Sequence, residues 1–224
     1  EGYWNEIAET KGIIEKVLHE QRQGHSLSQM AILVRTSAQT NIFETYLREN
    51  GIPYKVVGGF KFYEREEIRD AVAYLRLVLN TGDDLAFLRI VNKPRRGIGD
   101  GAIEAINKAA KEHHLSLFDA IAWAELRPSV RKTLDAFMGL ITMMRDKTNF
   151  LGPAPLAQQL LEDSGYMNMW RMDKSVEAEG RIENIQELYN VLNEKDTINQ
   201  FLEDEALEID SDKANTEEQL SVMT

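Results

Sequence analysis

Two short apolar runs with one amphipathic segment between them constrain this chain most. "MAILVRT", closing at Arg35, and "IPYKVVGGF", opening at Pro53 and broken by Gly58-Gly59, have the look of strands. Between them "QTNIFETYLREN" places Ile42, Phe43, Tyr46 and Leu47 on one helical face and stops at Asn50-Gly51. Parallel strands cannot be joined by a tight turn, so strand, helix, strand predicts a parallel pair with a crossover helix, an α/β layer. A helical pattern over residues 3–23, with Ile7, Ile13, Ile14, Val17 and Leu18, precedes it and ends near Gly24.

After Gly59 the period changes. Apolar residues recur at helical spacing to about residue 208, which predicts helices at 66–80, 84–91, 100–114, 116–124, 129–147, 154–164, 178–193 and 197–207. The acidic "EIDSDKANTEE" reads as a mobile loop. "QLSVMT" then has strand character. The expected fold is mainly α with a small α/β part: 1–65 partial α/β, 66–215 a helical body, and 216–224 a strand returning to the first part. Two or three strands do not make a doubly wound sheet, so a piece of a larger protein is expected.

Charge matters here through its distribution. Between Glu194 and Glu218 ten acids face two lysines, which supplies −8 of the chain's formal −11. The stretch Arg89 to Gly99 holds four basic residues and no acid. An acidic tail therefore does not exclude a polyanion elsewhere on the surface, although it argues against a strongly basic, non-specific binder. No apolar run reaches membrane-span length, no secretory signal opens the chain, and the cysteine count is zero. A cytoplasmic protein with no membrane partner and no disulfides is expected.

Several chemistries find no support. G-x-x-x-x-G-K-[ST] does not occur, so nucleotide hydrolysis by this chain alone is not expected. His19-Glu20 begins like H-E-x-x-H, but Gln23 stands at the second histidine position, and His25, His113 and His114 suggest no metal site. No G-x-S-x-G elbow is present, and acid pairs such as Glu66-Glu67 and Asp83-Asp84 complement helix starts without a catalytic role. No catalytic residue and no metal ligand is assigned.

What remains is a phosphate-like signal. "NKPRRGIGDGAIEAI" gathers Lys93, Arg95 and Arg96, then sets Gly97, Ile98, Gly99 and Gly101 at a helix start. Glycines let backbone N–H groups approach a sugar-phosphate, and a helix N-terminus favours an anion. The plainer alternative is a tight interhelical turn whose arginines cap neighbouring carbonyls. A second constellation, "VVGGFKFYEREEIRDAVAYLRL", offers Gly58-Gly59 as a hinge with Phe60, Phe62 and Tyr63 as stacking or core aromatics, and Glu64 and Arg65 orienting each other. A third, "ILVRTSAQ", puts Arg35, Thr36, Ser37 and Gln39 past the C-terminal end of a strand, where open α/β sheets bind ligands; the alternative is helix capping by Thr36 or Ser37.

In this order the segments resemble the UvrD/PcrA/Rep family of superfamily 1 DNA helicases. The runs that carry the likeness are "AILVRTSAQTNIFETYLRENGIPYKVVGGFKFYEREEIRDAVAYLRLVLNTGDDLAFLRIVNKPRRGIGD" and "RIENIQELYNVL", with "QLSVMT" similar to the lead-in of a further helicase motif. The resemblance implies an ATP-driven 3′-to-5′ DNA helicase, of which this chain holds part of the second RecA-like domain, 2A, and its helical insertion, 2B. It implies ATP and Mg²⁺ for the intact parent and no cofactor in this piece. Arg35, Thr36, Ser37 and Gln39 match the single-strand track, with Ser37 and Asn41 where the family often has asparagine and arginine. Glu64, Arg65, Glu67 and Asp70, with Gly58 and Gly59, match the interdomain hinge. Arg96, Gly97, Ile98 and Gly99 match the element that holds duplex DNA, and Lys93, Arg95 and Gly101 beside them are expected to join in holding its phosphates. The implied partners are DNA with a single-strand/duplex junction and DNA-repair proteins.

Three other readings stay open. A base-excision glycosylase also uses a G-I-G hairpin with an acid farther on, and Asp119 stands about 20 residues after Gly99. The helical body alternatively serves as a protein-interaction or autoinhibitory module, and a helicase-nuclease subunit shares the same ancestry.

Overall fold

The computed structural model describes residues 4–35, 37–57, 61–214 and 218–223, apart from the side chains at 37, 38 and 207–214. The chain is mainly α-helical with one small parallel sheet, and it divides into two compact units. Unit 1 is Glu1–Arg65 with Glu203–Thr224, and unit 2 is Glu66–Leu202.

Unit 1 opens with α1 (Glu6–Arg22), started by Asn5, whose side-chain oxygen accepts the Ala8 N–H at 2.8 Å. Then come β1 (Ala31–Leu33), α2 (Ser37–Glu49) and β2 (Tyr54–Val57). The expected pairing of β1 with β2 is not what forms. Strand β3 (Leu220–Met223) lies between them, parallel to both, in the order β1-β3-β2. The α2 crossover skips one strand position, and β3 fills it. Ile32 and Val56 both stand opposite Val222 in register, and Leu220 and Val222 are completely buried, as suits a strand bonded on both edges. One sheet face joins Ile14, Val17, Phe43 and Leu47 from α1 and α2 in a single apolar cluster. On the other face Leu33 is 77% exposed and Val57 43%.

In unit 2, α3 (Glu66–Leu79) is the axis. It buries ten of its 14 residues and packs against α4 (Asp84–Ile90), α7 (Pro128–Lys147), α8 (Pro153–Asp163) and α10 (Glu177–Asn193). A helix surrounded this way must be apolar on most of its circumference, and the run Ala71 to Leu75 is buried throughout. Helix α5 (Asp100–His113) ends on left-handed His114, and α6 (Leu117–Ala120) starts at the Ser116 cap. Pro128 and Pro153 begin α7 and α8, where a missing N–H costs nothing.

Two elements depart from expectation. Helix α9 (Tyr166–Met172) has no counterpart in the predicted set; it is two turns long and follows Gly165 at φ +79°. Helix α11 (Ile198–Ala214) continues through Asp210 to Ala214, where the acidic composition suggested a loop. Glu, Ala, Leu and Lys are strong helix formers, and that propensity outweighs the crowding of like charge.

Candidate nucleic-acid interface

The turn between α4 and α5 is built around one asparagine. Asn92 Oδ1 accepts the N–H of Arg96 at 2.7 Å and that of Ile98 at 3.4 Å, while its Nδ2 donates to the Ile98 carbonyl at 2.9 Å. Ile98 drives its side chain into the core, 3% exposed, so this residue anchors the turn. Gly97 sits at φ +74°, a conformation that excludes other residues at low cost. Around Gly97, Gly99 and Gly101 an added Cβ would meet nothing within 4 Å, so the space beside this backbone is open. Gly99 is the N-cap of the 14-residue α5 and contributes no capping side chain. Among the described residues the N–H groups of Gly97, Gly99, Asp100 and Gly101 take part in no hydrogen bond. Four unpaired donors at the positive end of a helix favour an anion. The carboxylate of Asp100, in the first turn of α5, opposes it.

The three cations of the turn have different surroundings. Arg96 is turned inward. Its Nη1 lies 2.9 Å from the Ile90 carbonyl, 3.1 Å from that of Val91 and 2.8 Å from that of Lys93. Its Nη2 donates to Tyr74 Oη at 2.6 Å and to the Ser164 carbonyl at 3.2 Å, and the guanidinium lies 4.9 Å from the Phe137 ring centre. Ile90 and Val91 end α4 and Ser164 ends α8, so one guanidinium caps the C-termini of two helices. Tyr74 donates in turn to the Lys93 carbonyl. Arg96 therefore does what the capping alternative describes.

Lys93 Nζ is 2.6 Å from Glu66 Oε1 and 3.0 Å from Asp70 Oδ2. Burial works to lower its pKa, but the hydrogen bonds to Glu66 and Asp70 win and hold it above the ordinary lysine value. The Lys93 hydrogen bond in turn holds the Glu66 carboxyl below the ordinary range. Arg95 is exposed and has no hydrogen bond or ion pair among the described residues. Of the three, its charge is the one left to an outside ligand.

The hinge residues fall into both units. In unit 1, Arg65 is buried and donates to Glu44 Oε1 at 2.7 Å and to Asn41. Glu44 also accepts from Tyr54 Oη and from the Phe62 N–H, each at 3.0 Å; burial pushes its carboxyl up against the pull of Arg65. Glu64 turns back to the Lys61 N–H at 3.3 Å, so the expected mutual orientation of Glu64 and Arg65 gives way to separate partners. Consecutive side chains leaving a 3-10 turn point in different directions. In unit 2, Glu67 accepts from Asn184 Nδ2 at 2.6 Å, and Asp70 lies 2.7 Å from Arg89 Nε and accepts from Tyr166 Oη at 3.0 Å. Gly58, Gly59 and Phe60 lie outside the described residues, and Phe62 and Tyr63 are buried.

Past β1, Arg35 and Gln39 are exposed, and Gln39 Oε1 accepts the Arg35 N–H at 3.0 Å. Thr36 and the side chain of Ser37 lie outside the described residues. Among the described residues no group of three or more acidic or histidine side chains is placed to hold a metal ion, and no helix is long and apolar enough to cross a membrane. Asp119, the acid of the glycosylase alternative, accepts from Ser116 Oγ at 2.9 Å. Sequence reasoning missed Asn92, Tyr74 and Arg89; nothing in local spacing marks a tyrosine 22 residues upstream as the partner of Arg96.

Residues 3–224 match the UvrD-like helicase C-terminal domain family. The chain is 36% identical over 228 aligned residues to the ATP-dependent DNA helicase PcrA of Staphylococcus epidermidis. It is 35% identical to the protein of the same name in Staphylococcus aureus. Both alignments cover 96% of this chain and 31% of the relative, so the chain spans about a third of the length of the curated relatives it matches.

Proposed function

The chain belongs to the UvrD-like helicase C-terminal domain family, and from that membership we propose that it is the duplex-holding and regulatory part of an ATP-dependent 3′-to-5′ DNA helicase. The observation that carries the reading is the row of unpaired N–H groups at Gly97, Gly99, Asp100 and Gly101 beside open space. Such a row fits a duplex phosphate, bound without reading sequence. Arg95 adds the outward charge, while Lys93 and Arg96 hold the turn from behind. Arg35, Thr36, Ser37 and Gln39 are proposed to line the single-strand track, and the residues around Arg65, Glu67 and Asp70 to anchor the hinge on either side. Units 1 and 2 are then parts of the 2A domain and the 2B subdomain.

ATP and Mg²⁺ are assigned to parts of the parent outside this chain, because its sequence contains no G-x-x-x-x-G-K-[ST] loop. The proposed partners are DNA with a single-strand/duplex junction and DNA-repair proteins, in the cytoplasm. A second reading, a protein-interaction module, draws on Leu85 and Trp123, which are 82% and 61% exposed in unit 2.

Gly99→Asp separates the readings. An aspartate suits an N-cap and meets no steric obstacle here, so the melting temperature is expected to hold or rise. The same carboxylate occupies the donors and repels phosphate. Affinity for a duplex with a 3′ single-strand tail, measured by fluorescence anisotropy, is expected to fall about tenfold or more, equivalent to ~1.4 kcal/mol. Unchanged affinity would remove the turn from the DNA interface and favour the interaction module.

A further inference from the structure

A glycine-rich turn faces two opposing demands if it is to hold a phosphate. Its donors must stay unpaired, yet its backbone must be held in one conformation, and glycine has more conformational freedom to lose than any other residue. Hydrogen bonding between the turn's own N–H and C=O groups would meet the second demand by defeating the first. Here a side chain meets both. We infer that Asn92 is the positioning residue of this turn: its amide takes up the N–H groups of Arg96 and Ile98 and the carbonyl of Ile98, and so fixes the backbone while the N–H groups of Gly97, Gly99, Asp100 and Gly101 stay unpaired. The inference rests on the duplex-phosphate reading of the site.

The alternation is the telling feature. Arg96 and Ile98 are bonded through their N–H groups to Asn92, and the intervening Gly97 and the following Gly99 are not. Each bonded residue also has its side chain fixed inward, Arg96 on the ends of α4 and α8 and Ile98 in the core. The turn is thus fastened at every second residue. Asn92 follows α4, whose C-terminal carbonyls Arg96 caps, so the same helix end carries both restraints. A carboxylate could not replace this amide, since the donor to the Ile98 carbonyl would be lost.

Removing the restraint leaves every cation in place and lowers only the fraction of molecules whose turn is competent to bind. Apparent affinity falls in proportion to that fraction, while the number of counterions released on binding does not change. Asn92→Ala in the 224-residue chain is therefore expected to weaken binding to the tailed duplex roughly tenfold, with the salt dependence of log Kd parallel to that of the parent. Arg95→Ala is the contrasting variant: its salt slope is expected to fall by about 0.9, the contribution of one phosphate contact. A merely structural part for Asn92 would lower the melting temperature and leave the Kd of the folded molecules unchanged.

Amide NMR of the unmodified chain gives a reading that needs no variant. On titration with the duplex, the Gly97 and Gly99 amides are expected to shift and those of Arg96 and Ile98 to stay put. Equal shifts in all four, or an Asn92→Ala chain that binds as the parent does, overturns the inference and leaves the site reading standing. If the parent chain does not bind duplex at all, the site reading fails and the inference goes with it.

Discussion

Arg95 and Arg96 are adjacent residues of one type with opposite surroundings, and the difference can be measured. Arg96 meets carbonyls at the ends of α4 and α8 together with the Tyr74 hydroxyl. A lysine ammonium cannot bridge that set, because it lacks the planar fork that reaches both sides at once. Arg96→Lys is expected to cost about 2 kcal/mol in urea unfolding, since groups that are now bonded would be left unpaired. Arg95→Lys is expected to change stability by less than about 0.5 kcal/mol. Equal effects of the two substitutions would contradict the assignment. The glycine spacing of the site was legible in the sequence because positive φ and open approach leave a residue-type signature. The division of labour among Lys93, Arg95 and Arg96 was not, since three neighbouring cations look alike until the fold brings carbonyls to one and carboxylates to another.

At the scale of elements, α3 and the turn after α4 are joined by charge. Glu66 and Asp70, one turn apart on α3, both hold Lys93. The sign of the pH effect follows from the two shifts. Glu66 titrates below its ordinary 4.5, so its share of stability is present above that value and is lost as pH falls through the lower, folded one. Lys93 titrates above its ordinary 10.5, so its share is present below that value and is lost as pH rises through the higher one. The stability advantage of the parent chain over Lys93→Met is therefore expected to be level near neutrality and to shrink below pH 4.5 and above pH 10.5, as followed by denaturant titration. Glu66 is half-exposed, so the Glu66–Lys93 share of that advantage should be within about 1 kcal/mol. An advantage that grew on acidification would rule the linkage out. The long helices were legible as elements because burial on one side imposes the 3.6 period. Strand order was not: nothing local in "QLSVMT" says that it enters the middle of a sheet begun at Ala31. Helix α9 escaped because two turns hold too few residues for a period to show.

At the scale of the whole molecule, the two units differ in how the chain supplies them. Unit 2 is one uninterrupted run, Glu66–Leu202, with α3 at its axis, whereas unit 1 is assembled from both ends of the chain. A chain limited to residues 66–202 is expected to melt in a single cooperative transition and to keep the duplex affinity of the parent, as seen by circular dichroism and anisotropy. A molten helical product, or a folded one that no longer binds, would show that the turn depends on unit 1.

The central placement of β3 also bears on how the protein is made. During synthesis β1 and β2 leave the ribosome with the slot between them empty, because their shared partner, Leu220–Met223, lies far beyond Val57 along the chain. At typical elongation rates of about 5–20 residues per second, roughly 10–40 s pass before that partner emerges. Over that interval the helices of unit 2 have time to fold, while two apolar strands with unpaired edges stand open to any other extended chain nearby. A nascent chain of this topology is a natural client for a ribosome-associated chaperone, and its need for one ends when Leu220 to Met223 close the sheet.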